Sequence, residues 1–274
     1  MTIITASIVI YKTEINEIKL LIQSIVDSII DIIYIIDNSP TNVLEESIRT
    51  FSSKFIYISN HSNPGFGSAH NIAIQKAITM RSLFHFIINP DIIIQEGVIY
   101  SMVEYMQKEE NVGMMMPKIL NMDGTNQYLP KLLPSPFMLL FRKMHNSSNL
   151  YDYYMNKYEL RNVNEICNVP VISGCFSLLN LNLFKELKLG GYDERFFMYF
   201  EDFDLSRRFH QKCKTLYYPL VSVYHGYKGG AKKNIKLFIN FSFSAIKYFN
   251  KWGWFCDRER KKINEHVLNE LNYN

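Results

Sequence analysis

Acidic side chains follow two apolar runs of this sequence, at the points where strands are expected to end. Leu83–Asp91 reads LFHFIINPD, and its proline cannot donate to a ladder, so a strand stops there and the side chains of Asn89 and Asp91 emerge. Asp37 follows Ile32–Ile36 in the same way. Ligands bind at the carboxyl ends of strands in open α/β sheets, which predicts a binding site here. An ordinary Asx turn is the alternative for each acid alone.

A third group of acids follows the aromatic run Phe196–Phe200. Glu201, Asp202 and Asp204 fall in the first turn of a predicted helix, where the helix dipole alone favours acids. A carboxylate at the edge of an apolar wall can instead have its pKa raised toward the range of a general base. His225, alone, is typical of a partly buried histidine. Together with an acid at a strand end, it is a candidate second ligand for a hard cation.

A glycine-containing loop, His61–Asn71, precedes another predicted helix. Gly65 and Gly67 permit close approach of the backbone, and Ser68 is a suitable first residue for the helix. A helix N-terminus behind such a loop is an anion site. The spacing matches neither a Walker loop nor GxGxxG, so the loop by itself is weak evidence for a nucleotide.

Strand and helix periodicities alternate over the first 120 residues, which predicts an α/β fold with a mostly parallel central sheet flanked by helices. The predicted strands are Ile3–Tyr11, Ile32–Ile36, Lys54–Ser59, Leu83–Asp91 and Val112–Leu120, and the helices are Glu14–Ser28, one from Thr41, one from Ser68, and Gln95–Glu109.

The second half is less regular. Pro130–Asn168 has poor periodicity and is interpreted as a mobile or acceptor-facing insert. The elements predicted after it are a strand over Val169–Leu179 that contains Gly174, a short helix over Asn182–Leu187, and two short strands, Thr215–Tyr218 and Val221–Tyr224, on either side of a proline.

Composition narrows the protein class. The 274 residues, 47% of them hydrophobic, can bury one main core, and a net charge of +4 is too small to indicate a nucleic-acid partner. The four cysteines form no CxxC pair and no zinc-spaced cluster, and no signal peptide is recognisable, which predicts a cytoplasmic protein with reduced thiols. No window reaches the ~18–20 apolar residues needed to span a bilayer, so membrane contact would be peripheral.

The C-terminal segment predicts an amphipathic helix. Apolar residues recur at helical spacing between Ile235 and Trp252, and basic residues are dense between Lys228 and Lys262. Packing on the core is the favoured interpretation. Binding to an anionic membrane surface is the alternative, because basic, aromatic amphipathic helices lie in such interfaces.

The segments together resemble the inverting, GT-A-type glycosyltransferases of family 2, and most closely the rhamnosyltransferase-like branch of bacterial surface polysaccharide synthesis. The resemblance covers about residues 3–233. It rests on five segments in order: SIVIY, YIIDNSP, NPGFGSAHN, INPD and GGYDERFFMYFEDFDLSRR, the last followed by VYHGY. Asn89 stands where many relatives carry Asp, which lowers the expected metal affinity.

The resemblance implies a GT-A-type, Rossmann-like domain over residues 1–233 and a C-terminal helical extension over 234–274. Residues 1–120 would form the nucleotide-sugar-binding half and 121–233 the acceptor and catalytic half. Asp202 would be the catalytic base, with Asp91 and His225 holding Mg²⁺ or Mn²⁺. The donor-binding residues would be Tyr11, Asp37, Asn38, Gly65, Phe66, Gly67, Asn71 and Asn89, and the acceptor-side residues Gly174, Tyr199 and Glu201.

The implied reaction is transfer of a sugar, best matched by L-rhamnose from dTDP-rhamnose, onto a lipid-linked saccharide in O-antigen or capsule synthesis, at the inner face of the bacterial plasma membrane. A UDP-sugar-dependent galactosyl, galactofuranosyl or glucosyl transferase is the alternative. A sugar nucleotidyltransferase is disfavoured, because it needs a basic glycine loop where Tyr11–Glu14 lies. An inactive nucleotide-sugar-binding protein is disfavoured by the coexistence of Asp91, Asp202 and His225.

Overall fold

The first half of the chain alternates strands and helices, as predicted. The computed structural model describes residues 2–144, 149–226 and 235–273. The elements up to residue 120 are β1 Ile4–Ile10, α1 Ile15–Ile25, β2 Ile32–Asp37, α2 Glu45–Phe51, β3 Phe55–Ser59, α3 Phe66–Thr79, β4 Phe84–Ile88, β5 Ile92–Ile94, α4 Val98–Lys108 and β6 Val112–Leu120.

The second half contains more helix than predicted. Its elements are α5 Pro136–Met144, α6 Asn149–Tyr158, β7 Cys167–Asn168, β8 Phe176–Asn180, α7 Leu181–Glu186, α8 Glu201–His210, β9 Lys214–His225, α9 Ile235–Trp252 and α10 Arg258–Glu270. The predicted boundary between a transferase domain and a C-terminal segment, at 233/234, lies outside the described residues.

The described strands form a nine-stranded sheet in the order β3-β2-β1-β4-β8-β6-β9-β5, with β7 beside β9. The strands from β3 to β4 are parallel, whereas β8 runs antiparallel to both β4 and β6. The chain adds β2 and β3 on one side of β1 and then crosses to place β4 on the other. Such a reversal opens a crevice at the carboxyl ends of the central strands. The predicted α/β fold is thereby confirmed.

Helices cover both faces of the central strands, which explains their apolar runs. On one face, Ile18 and Ile22 of α1 pack in the same core cluster as Ile8 and Phe86. On the other face, α3 packs its small residues against the sheet, including the fully buried Ala73.

Two element boundaries differ from prediction because of hydrogen bonds to distant segments. Helix α3 begins at Phe66 instead of Ser68, since the Phe66 N–H donates to the carbonyl oxygen of Phe197 at 2.9 Å. Strand β8 begins only at Phe176. The residues just before it turn toward α8, where the N–H of Ile172 donates to the Ser206 hydroxyl at 3.0 Å.

The segment 130–168, whose sequence has poor periodicity, contains the two helices α5 and α6, and its interpretation as a mobile or acceptor-facing insert stays a prediction. Buried Tyr151 and Met155 pack α6 on the core, and the Leu132 N–H donates to the Tyr158 carbonyl at 3.0 Å. The two short strands predicted around residue 219 form the one strand β9, whose pairing with β6 shifts register between Pro117 and Lys118.

Buried charges join α8 to the C-terminal helices. The Arg207 guanidinium, 1% exposed, donates to both carboxylate oxygens of Asp257 at 2.6 and 2.8 Å and stacks on Trp252. Asp204, fully buried, accepts from Arg208 at 3.0 Å and lies 2.7 Å from the Lys251 ammonium. The predicted packing of the C-terminal helix on the core is therefore confirmed. In the described ranges, no helix is long and apolar enough to cross a bilayer.

Removing the charge of Asp257 should destabilise the fold. Asp257→Asn retains a side-chain oxygen for the N-cap of α10 but leaves the buried Arg207 with only the exposed Glu259 carboxylate, 3.8 Å away, as a counter-ion, so we expect a cost of about 3 kcal/mol in the free energy of unfolding. Urea denaturation followed by circular dichroism measures the loss. Glu259→Gln is the control, because that side chain is 55% exposed and 3.8 Å from Arg207, and it should cost under about 1 kcal/mol. Equal stability of the two variants would contradict the assigned role of the pair.

Candidate active site

A left-handed turn directs the first residues of α8. Tyr199 and Phe200 have φ values of 69° and 65°, a region that costs non-glycine residues free energy. The turn is held by a buried aromatic cluster of Phe196, Phe200, Tyr248 and Phe249, the last two from α9. The Tyr199 ring lies against Phe241 of α9 at a centroid distance of 5.7 Å. The turn therefore sets where Glu201 and Asp202 point.

Asp202 accepts hydrogen bonds from two backbone N–H groups. Its Oδ2 accepts from Gly174 at 3.3 Å and its Oδ1 from Phe203 at 2.9 Å. Burial raises the pKa of Asp202 above its ordinary value, and the two N–H donors oppose that rise. The residue as a whole is half-buried. Asp202 thus combines a raised pKa, fixed orientation and partial exposure, which a general base requires.

Glu201 has the opposite surroundings. It is 5% exposed, and among the described residues its Oε2 has no hydrogen-bond partner. Burial, and then the neighbouring charge of Asp202, raise the pKa of Glu201 well above the ordinary value. Glu201 therefore holds its proton more strongly than its neighbour Asp202, which has two backbone donors to stabilise its carboxylate.

Asp91, Asn89 and His225 meet at the ends of β4 and β9. His225 Nε2 lies 3.3 Å from Asp91 Oδ1 and 3.4 Å from Asn89 Nδ2. Gln127 Nε2 donates to the backbone oxygen of His225 at 3.0 Å, which turns its Oε1 toward His225 Nδ1, also at 3.0 Å. Because that oxygen can only accept, Nδ1 donates to it, and Nε2 faces the Asn89 amide and the Asp91 carboxylate.

These residues fit a divalent cation. An imidazole nitrogen and a carboxylate oxygen 3.3 Å apart are ligand types that divalent cations take, and the hydrogen bond between Nδ1 and Gln127 fixes the orientation of the ring. No cluster of three or more His, Cys, Asp or Glu ligands occurs in the described part of the chain. Asp91 and His225 would therefore supply two ligands, and a bound ligand or water the others.

Asp37 lies at the other side of the crevice, at the end of β2. It is 2% exposed and accepts hydrogen bonds from the Ser39 N–H at 2.8 Å and from the Tyr57 hydroxyl. The Asn38 N–H donates to the Ile10 carbonyl at 2.9 Å. A cavity of about 310 Å³ opens beside Asp37, lined by Lys12, Thr13, Asp37, Ser39, Pro40, Thr41, Val43 and Leu44. Tyr11, at the end of β1, is 49% exposed.

The glycine loop is packed against the protein itself. A Cβ at Gly65 would lie 2.2 Å from the Phe197 oxygen, and one at Gly67 would lie 2.7 Å from the Tyr192 Cβ. Both polar atoms of the Asn71 amide bond to the backbone of Tyr192, at 2.8 and 2.9 Å. Internal packing is thus sufficient to explain these three residues, and their contact with a donor stays a prediction.

The structure brings the predicted metal ligands and the predicted base to one edge of the sheet. The Asn89 N–H donates to the Cys175 carbonyl at 2.8 Å, and the preceding residue, Gly174, donates to Asp202. Phe66 also reaches this point, since a Cβ at Gly174 would lie 3.2 Å from its ring. Asp37 and Tyr11 end the adjacent strands β2 and β1.

Three polar residues at or near these groups had no recognisable signal in the sequence: Tyr57, Gln127 and Lys131. Tyr57 occurs inside a strand pattern, and the other two lie next to or within the insert that lacked periodicity. Their positions follow from pairing between distant segments, such as the bridge between Lys131 and Val171.

Solved structures with related folds include glycosyltransferases. GalNAc-T7 with UDP, GalNAc and Mn²⁺ superposes with a TM-score of 0.61 at 16% identity, over 82% of this chain and 44% of the other. S. aureus TarS superposes with a TM-score of 0.56 at 13% identity, over 98% of this chain and 43% of TarS. This chain thus spans less than half of either. TarS 1-349 in complex with UDP superposes with a TM-score of 0.55 at 13% identity, over 98% of this chain and 71% of the other.

The sequence itself matches a family model. No protein of curated function matches the chain. The model described as "Glycosyl transferase family 2" matches residues 7–188, which run from β1 through α7 and include Asp37, Asp91 and Gly174. This chain therefore belongs to glycosyl transferase family 2.

Proposed function

We propose that this glycosyltransferase moves a sugar from a nucleotide-sugar donor to an acceptor hydroxyl in a single displacement, with inversion at the anomeric carbon. The observation that supports this best is that one carboxylate held by two backbone donors, Asp202, lies on the same sheet edge as two candidate cation ligands, Asp91 and His225. One base and one cation suffice for a single displacement. A double displacement would need a second carboxylate as nucleophile, and the adjacent Glu201 is buried and neutral.

Each group has a defined task in this reaction. Asp202 accepts the proton of the acceptor hydroxyl as its oxygen attacks the anomeric carbon. Asp91 and His225 would hold Mg²⁺ or Mn²⁺, which supplies neutralising charge for the departing diphosphate. The crevice beside Asp37, with Asn38 and Tyr11, receives the nucleoside. Gly174, Tyr199 and Glu201 form the wall on the acceptor side.

The donor is the least determined part of the proposal. The resemblance to rhamnosyltransferases favours dTDP-rhamnose with a lipid-linked saccharide acceptor of a surface polysaccharide. UDP-sugars are the second candidate, because the structures of GalNAc-T7 and TarS 1-349 hold UDP. A hydrolysis screen of dTDP-rhamnose, UDP-glucose, UDP-galactose and UDP-galactofuranose separates them, since a transferase slowly hydrolyses its own donor. If the protein hydrolyses no donor of a broad panel and binds no nucleotide, the proposal is contradicted.

Substitution of Asp202 should lower the turnover of the enzyme without weakening its affinity for the nucleotide. Asp202→Asn keeps the shape and the hydrogen bond from Phe203 but cannot accept a proton, so turnover should fall about 10²–10⁴-fold. Isothermal titration with UDP and dTDP should give unchanged affinity. Glu201→Gln is the matched control and should cost less, because Glu201 is already neutral. Near-normal turnover of Asp202→Asn would remove it from this role.

The cation site predicts a metal-dependent binding defect. Asp91→Ala should weaken nucleoside diphosphate binding strongly with Mn²⁺ present and little in EDTA, because the lost carboxylate acts through the cation. Calorimetry under both conditions measures the difference, and Asp123→Ala, an exposed turn residue, is the control. If EDTA changes neither affinity nor activity of the unmutated protein, basic side chains must neutralise the leaving group instead.

We also propose that α9 brings the enzyme to an acceptor at a membrane surface. Its buried face packs on α8, and its opposite face exposes an apolar stripe of Ile235, Ile239, Phe243 and Ile246. Exposed apolar stripes of this kind mark interaction sites. Of the basic residues predicted to take part, Lys228, Lys232 and Lys233 lie outside the described residues.

The stripe can be tested with vesicles. The protein should co-sediment with phosphatidylglycerol vesicles more than with phosphatidylcholine vesicles, and less at high salt, because basic residues near an anionic surface contribute about 1 kcal/mol each. Ile239→Ser with Phe243→Ser should reduce binding. Val43→Ser, at an apolar residue 79% exposed elsewhere, should not. Equal, negligible binding to both vesicle types would contradict the membrane proposal and leave α9 a packing helix.

A further inference from the structure

Lys131 is a buried lysine beside the candidate active site. It is 7% exposed and forms an antiparallel bridge with Val171, in the segment that leads to Gly174. The next residues are fixed as well. The Leu132 N–H donates to Tyr158, and the backbone N–H and carbonyl of Leu133 both bond to the Asn264 side chain at 2.9 Å. The backbone at Lys131 is therefore held from three sides.

The ammonium of Lys131 forms no ion pair with any carboxylate of the described residues, although two carboxylates, Glu159 and Asp202, lie within electrostatic range. Glu159 is already paired with Arg161 at 2.6 Å and lies 3.7 Å from Arg142. Asp202 has no such partner and accepts only backbone N–H groups. Among the described residues, Lys131 is a cation whose charge acts on Asp202, and the bridge to Val171 places its backbone beside the segment that donates to Asp202.

Packing does not explain a lysine at this position. Burying a charge without a partner is costly, and a hydrophobic residue of similar volume is commonly as stable or more stable. Burial and the charge of Arg142 lower the pKa of Lys131 to about 8, so the side chain is still mostly protonated near neutral pH. A costly cation retained beside the active site indicates a functional role.

We propose that Lys131 is a positioning residue of the reaction, whose buried charge stabilises the ionised form of Asp202 and so keeps this carboxylate ready to accept a proton. The inference rests on the proposed function of Asp202. In the step concerned, the acceptor oxygen bonds to the anomeric carbon, the bond from that carbon to the diphosphate oxygen breaks, its electron pair leaves with the diphosphate, and the acceptor proton moves to Asp202.

The other titratable groups around Asp202 cannot replace Lys131. Burial raises the pKa of each of these groups, which favours the uncharged form, and none of them supplies positive charge. They are Glu201 on the same helix, Tyr158 of α6, Cys175 before β8 and Tyr192 before the aromatic run. The cation of Lys131 lowers the pKa of Asp202, against the rise that burial causes. Removing that cation should therefore raise the pKa of the base.

The test compares Lys131→Met with Lys131→Arg by pH–rate profiles of donor hydrolysis, using the nucleotide sugar that the screen identifies. Asp202 acts in its ionised form, so a raised pKa reduces activity most at low pH. For Lys131→Met the acid limb of kcat/KM should move up by about 0.5–1 pH unit. The loss should be several-fold at pH 6 and small above pH 8. In Lys131→Arg the acid limb of the pH–rate profile should stay at the wild-type pH, because arginine keeps the positive charge.

A second measurement separates this role from a structural one. Lys131→Met should have a thermal midpoint no lower than the wild type, since it removes an unpaired buried charge. An acid limb that stays in place, or a midpoint that falls in Lys131→Met, would overturn the inference. If Asp202→Asn retains full hydrolysis, the proposed function of Asp202 fails. If Asp202→Asn is inactive and the limb of Lys131→Met does not move, only the inference on Lys131 fails.

Discussion

The position of Asp202 depends on the strained left-handed turn at Tyr199 and Phe200. Two consecutive non-glycine residues at positive φ cost about 1–3 kcal/mol each, and such a turn persists only where the surrounding structure holds it. Here Phe196 and Phe200 pack against Tyr248 and Phe249 of α9, and the burial of large aromatic side chains offsets the strain. The C-terminal helix is therefore part of the support of the active site.

Three acids in one turn of α8 have different protonation states or partners because their surroundings differ. Asp204 is fully buried among Arg208, Lys251 and the Trp252 indole N–H, so its charge is paired and anchors α8 to α9. Glu201 is buried without a partner for one oxygen among the described residues, and its proton stays on. Asp202 receives two backbone N–H groups and is half-buried. Residue type alone does not separate these roles, since each depends on what packs opposite.

The crevice at the reversal of strand order brings the remaining chemistry together. The turn at Asn89 is held to the next strand by its N–H bond to Cys175, and the same turn presents Asp91 to His225. With one carboxylate, the proposed cation site would hold less negative charge than a site with two. The glycine loop packs against Phe197, and the buried Lys131 lies beside the segment that carries Gly174.

The sequence by itself determined the α/β class, the strands that carry Asp37 and Asp91 at their carboxyl ends, and the family. Hydrophobic periodicity, and the prolines and glycines that end helices and strands, are properties of neighbouring residues, so they can be recognised without the fold. It did not determine α5 and α6, the late start of β8, or the single strand β9, because packing and pairing between distant segments override local preference there. The roles that distinguish Asp202 from Glu201 and Asp204, and the presence of Lys131 and Gln127 at the site, were decided only by the tertiary structure. Burial and hydrogen bonding set the charge of a group, and both depend on residues far away in the chain.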